Sequence, residues 1–107
     1  MTEQPDPRTV QLLIELLRDH TARIDERDDA AIDLGGSDDP KALAALLEVA
    51  SHADDDEMVI GSCGESIAQI AVRTGRFEPS SLDGLAAPAL REVLGWLRRA
   101  RPDLLDG

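Results

Sequence analysis

The chain has 107 residues and a formal net charge of −11, from 22 Asp and Glu against 11 Lys and Arg. Hydrophobic residues make up 42% of it but aromatics only 2%, so the core must be built from Leu, Ile, Val and Ala, a palette suited to helix packing rather than to a sheet. The surplus acid repels phosphate backbones and anionic lipid, which argues against nucleic acid and membrane and leaves a basic protein partner allowed; the same charge also serves simple solubility.

A chain of this length fits one domain with a real core. The polar stretch from Met1 to Pro7 lacks the basic and apolar regions of a signal peptide. Apolar stretches are interrupted by charges before membrane-spanning length. The single cysteine, Cys63, cannot close an internal disulfide. A cytoplasmic protein is the expectation.

The first helix starts at Asp6-Pro7, with Asp6 as the cap and Pro7 where a missing N–H costs nothing. Val10, Leu13, Ile14 and Leu17 form its inward stripe. The second helix, from about Arg23 to Leu34, carries five acids: Asp25, Glu26, Asp28, Asp29 and Asp33. Ile24, Ala31 and Leu34 are its expected buried residues, with Ala30 and Ile32 at the margins, and Gly35-Gly36 ends it. Such a short charged helix depends on its neighbours for stability.

Asp39-Pro40 opens a third helix as Asp6-Pro7 opens the first, and Leu43, Leu46, Leu47 and Ala50 repeat the stripe. The acids Asp54 to Glu57 suit the N-terminus of a fourth helix that runs to Arg73 or Thr74 and stops at Gly75. Ile60, Cys63, Ile67 and Ile70 face inward, and Gly64 permits a close helix approach. Residues 75–86 read as a loop. A last helix spans 87–100, with Leu90, Val93, Leu94 and Leu97 inside and Arg98 and Arg99 at its C-terminal end.

These elements repeat. At an offset of 33 residues Asp6-Pro7-Arg8 falls on Asp39-Pro40-Lys41, Leu13 on Leu46, Glu15 on Glu48, Ala30 on Cys63, Ala31 on Gly64 and Leu34 on Ile67. The segment Cys63-Gly64-Glu65-Ser66-Ile67-Ala68-Gln69-Ile70 resembles the second-helix motif of HEAT-type repeats, in which small residues alternate with large aliphatics. Ala30-Ala31-Ile32-Asp33-Leu34-Gly35 is similar, but Asp33 stands where a small residue is usual. The short period resembles that of bacterial HEAT-like repeats, including phycobilin-lyase-type domains; the Thr-Pro-Leu-His pattern of ankyrin repeats is absent.

The resemblance implies an all-α, right-handed solenoid fragment of about five helices: repeat 1 at about 6–37, repeat 2 at about 39–74, then the loop and a capping helix. It implies no catalytic residues. It also implies that second helices line a concave binding surface, which here would place Asp25, Asp29, Asp33, Glu65 and Gln69 on an acidic strip, although a solvated face is the plainer account of such acids. Trp96, at the margin of the last helix, reads as a core-edge residue or as a binding anchor. Leu12 and Leu16, off the main stripe of the first helix, read as deeper burial or as a homodimer contact.

Metal and catalytic readings are weak. Four adjacent acids at 54–57 lack the alternating spacing and turn glycine of calcium loops, and read as a solvated cap. His20 and His52 lie near helix ends with no second ligand at metal spacing, and Cys63 sits on an apolar stripe. No cofactor or metal is expected. The expected function is a non-catalytic protein–protein interaction module, in its sharper form an acidic inhibitor or immunity-type protein that binds a basic partner. The alternative is a structural subunit that self-associates through Leu12, Leu16 or Trp96.

Overall fold

Two prolines preceded by aspartates fix where the first and third helices begin. The structure, a computed structural model, describes residues 4–106. Helix α1 spans Pro7–Arg18, and Asp6 accepts a hydrogen bond from the Thr9 N–H at 2.8 Å. Helix α3 spans Pro40–Ala50, and Asp39 accepts from the Lys41 N–H at 2.9 Å. Each cap satisfies a donor that the first helical turn leaves unpaired. The remaining α-helices are α2 (Ile24–Leu34), α4 (Glu57–Thr74) and α5 (Ala87–Ala100), with short 3-10 helices at Pro79–Gly84 and Pro102–Leu105. No strand occurs among the described residues, so the all-α expectation holds.

Helix α4 is capped by Asp56, whose carboxylate accepts from the Met58 and Val59 N–H groups. It ends at Gly75, whose φ of 71° lies in the left-handed region that glycine enters without penalty. Helix α1 packs on α2 and on α3, α3 packs on α4, and α2 packs on α4. The molecule is only 18 Å through its thinnest dimension, the depth of two helix layers.

In the second helices, burial follows the 33-residue offset. Ala30 and Cys63, Ala31 and Gly64, and Leu34 and Ile67 are all buried. In the first helices it does so only partly. Val10 and Ile14 are buried, but Leu43 and Leu47 are half-buried, and the interior of α3 is Ala42, Ala45, Leu46, Val49 and Ala50. Leu13 is likewise half-buried against the core. Helix α3 lies between α1 and α4, so Ala42, Ala45, Leu46 and Ala50 meet neighbours while Leu43 and Leu47 turn toward the segment after α4.

Three further expectations need correction. Ile24 is 37% exposed, and its assumed place inside is filled by Arg27, which is 2% exposed. Ala30 is fully inside and Ile32, at 49%, is outside. In α5 the buried row is Ala89, Val93 and Leu97; Leu90 and Leu94 are half-buried. The rotation of α5 follows from its crossing with α4. A Cβ on Gly64 would come within 2.6 Å of the Ala89 carbonyl oxygen, so the two backbones nearly touch and Ala89 must face inward. Gly64 thus serves the close approach expected of it.

Candidate functional site

Helix α2 buries Arg27, Ala30, Ala31 and Leu34 on one side. By helical geometry the other side presents Asp25, Asp29, Ile32 and Asp33, all exposed. Two side-chain bonds from α4 fix how α2 sits beside it. Ser66 Oγ donates to the Ala31 carbonyl at 2.7 Å, and Ser62 Oγ donates to Asp28 Oδ1 at 2.5 Å. At the far end, a Cβ on Gly35 would lie 2.6 Å from Ser66 Oγ and 2.9 Å from Gln69 Oε1. Glu65 and Gln69, both half-buried, therefore lie on the helix next to the one carrying the aspartates.

The charges on this face differ in availability. Asp25 pairs with Arg23 at 2.8 Å, but both groups are exposed, and such a pair contributes little. Asp28 is held by Ser62. Asp29, Asp33 and Glu65 make no side-chain hydrogen bond or ion pair among the described residues.

Trp96 lies on a different helix from these acids. It lies on α5, which meets α4 on the Gly64 flank, whereas α2 meets α4 on the Ser66 flank. The half-buried indole is stacked by Arg99, whose guanidinium carbon lies 5.7 Å from the ring centroid. Leu12 is 61% exposed, while Leu16 packs partly on the core.

Two charged residues missed in the sequence lie at the centre of the fold. Arg27 forms a bidentate pair with Asp55, at 2.9 and 2.8 Å, and its Nε donates to the Leu17 carbonyl at 2.9 Å. Their side chains are 2% and 4% exposed. The acidic run at 54–57 is thus not uniformly solvated: Asp56 caps α4, and Asp55 turns inward. Hydrogen bonds from Arg27 hold the Asp55 carboxyl below the usual carboxylate range, against the opposing effect of its burial. Arg27 lies on the i, i+3, i+4, i+7 stripe of Ala30, Ala31 and Leu34, so periodicity marks it as inward, but its charge hid it among the surface residues.

Elsewhere the chemistry is quiet. Burial, with a smaller contribution from the nearby Asp55 charge, pushes the Cys63 thiol up to about 12, so it stays protonated and is a poor nucleophile. His20 and His52 are exposed. No group of three or more His, Cys, Asp or Glu converges for a metal ion among the described residues. No helix of the described residues is long and apolar enough to cross a membrane.

The structure also holds a concavity that the sequence did not suggest. A cleft of about 150 Å³ opens between α3, the C-terminal half of α4 and the segment after it. Its walls are Leu43, Leu47, Ile67, Ala71 and Phe77, and Arg76, Glu78 and Ser81 border it. Compared with known protein families, curated proteins and solved structures, the chain matches none.

Proposed function

We propose that the chain is a non-catalytic protein–protein interaction module of the HEAT-like kind, a short right-handed helical stack in which α1–α2 and α3–α4 are the repeats and α5 the cap. Its outer second-helix face binds a basic protein partner in the cytoplasm, in the manner of an inhibitor or immunity-type protein. The observation that carries this reading is the state of Asp29, Asp33 and Glu65, which lie on two adjacent helices and form no ion pair among the described residues. Ile32, 49% exposed among these acids, adds an apolar contact point. Charge complementarity of this sort raises association rates and selects partners by sign.

The test is affinity capture from a lysate of the native host in steps of rising salt, comparing the wild type with Asp29→Lys/Asp33→Lys/Glu65→Lys. A basic partner released by salt and lost with the triple variant supports the reading. A partner retained equally by both proteins overturns it. Leu12, at 61% exposure, favours a second reading in which the chain is a structural subunit that self-associates through α1. Light scattering that finds a monomer at high protein concentration rejects that alternative.

A further inference from the structure

The cleft between α3 and α4 combines apolar walls with two opposite charges at its border. Phe77 packs partly on the core, while its chain neighbours Arg76 and Glu78 stay exposed. The two charges are only two positions apart in sequence. They form no ion pair with each other or with any other group among the described residues.

A guanidinium and a carboxylate held at one apolar mouth without meeting leave room for a ligand that bears both charges. The guanidinium fork matches a carboxylate. The Glu78 carboxylate accepts from an ammonium group, and the Ser81 hydroxyl can donate or accept. The volume sets the size of the third part. The cleft is open on one side, and its volume of about 150 Å³ has room for a side chain the size of leucine or phenylalanine.

We propose that this cleft is a binding site for a free α-amino acid with a large apolar side chain. The side chain enters between Leu43, Ile67 and Phe77, the carboxylate meets Arg76, and the ammonium meets Glu78. The site is separate from the acidic face of α2 and stands whether or not that face binds a partner. Small polar or acidic amino acids gain nothing from the walls, and desolvating their side chains opposes entry.

The experiment titrates the full-length protein with L-leucine and L-phenylalanine, following methyl resonances of Leu43, Leu47 and Ile67 by NMR. Isocaproate, which lacks the amine, and isoamylamine, which lacks the carboxylate, are titrated in parallel. A ligand of this size is expected to bind with a Kd on the order of 1 mM or below. Isocaproate and isoamylamine should each bind about tenfold more weakly. Arg76→Ala and Glu78→Gln alter exposed side chains, so the fold is retained, and each should weaken leucine by about tenfold. Equal binding of leucine, isocaproate and isoamylamine overturns the proposal, because the cleft would then read only apolar bulk. Unshifted methyl resonances at about 20 mM leucine overturn it as well.

Discussion

Arg27 and Asp55, 28 residues apart, meet as a bidentate pair sealed from solvent, and the same guanidinium reaches the Leu17 carbonyl at the end of α1. One side chain of α2 thereby joins the end of α1 to the start of α4. Removing one partner of such a pair leaves an uncompensated buried charge. Asp55→Ala is therefore expected to destabilise the protein by about 3–5 kcal/mol in urea unfolding. The apolar double variant Arg27→Met/Asp55→Leu should recover most of that loss. A double variant as unstable as the single one would show that the Leu17 contact, not the charge pair, matters more.

Acid should act through the same pair. The folded-state pKa of Asp55 is depressed by Arg27, so the stability it contributes is fully present above the unfolded carboxylate value of 3.8. It is lost as pH falls through the lower folded value. Asp38, held by Arg73 and then by Gln4, shifts in the same direction. The wild type should lose stability below about pH 4, while Arg27→Met/Asp55→Leu should show a shallower acid limb. Thermal melts between pH 2 and pH 7 would reveal equal slopes if Asp55 were not responsible.

Two glycines of α4 should respond in opposite ways to alanine. At Gly64 the added carbon would meet the Ala89 backbone at 2.6 Å, and α5 would have to move away. A loss of about 1–3 kcal/mol is expected. At Gly61 nothing lies within 4 Å of the added carbon, and helix propensity predicts a gain of about 0.5–1 kcal/mol. Denaturant midpoints of the two single variants test both signs.

Cys63 should be silent toward thiol reagents in the native protein. Its thiol is buried and shifted up to about 12, so it lacks both access and thiolate character. Reaction with a disulfide reagent at pH 8 should proceed only through unfolding and accelerate sharply in denaturant. Fast native labelling would mean that α4 opens locally around Cys63.

The helices were legible because their ends carry local chemistry. Asp6-Pro7, Asp39-Pro40 and Gly75 mark boundaries through caps and turn conformation, and both helix periodicity and the 33-residue offset follow from one chain. What was not legible depends on neighbours. Leu90 and Leu94 match an inward stripe as well as Ala89 and Val93 do, and only the Gly64–Ala89 contact decides between them. Arg27 shares the inward register of Ala30, Ala31 and Leu34, but its charge argues for the surface until Asp55, on a distant segment, turns in to meet it.

Of the candidate site, Asp25, Asp29 and Asp33 are exposed, as periodicity alone separates them from Ala31 and Leu34. Ile32, expected at the margin, lies outside, and Arg27 rather than Ile24 completes the buried row with Ala31 and Leu34. The cleft escaped notice because its walls come from α3, α4 and the later segment, and no stretch of sequence contains it.

Helices α1 and α2 leave carbonyls at their ends that their own turns do not satisfy. Arg27 binds Leu17 O, and Arg73 of α4 binds Gly35 O at 3.0 Å, Ser37 O at 3.1 Å and the Asp38 carboxylate at 2.9 Å. The end of α1 is thus completed by α2 itself, and the segment after α2 by Arg73 of α4. Repeat arrays with self-sufficient units can fray from one end, each unit adding its own increment. Here Arg73 and the buried Arg27–Asp55 pair tie the first two helices to α4, so a fragment cut after Ser37 is expected to lose helix content well beyond its share of the buried surface.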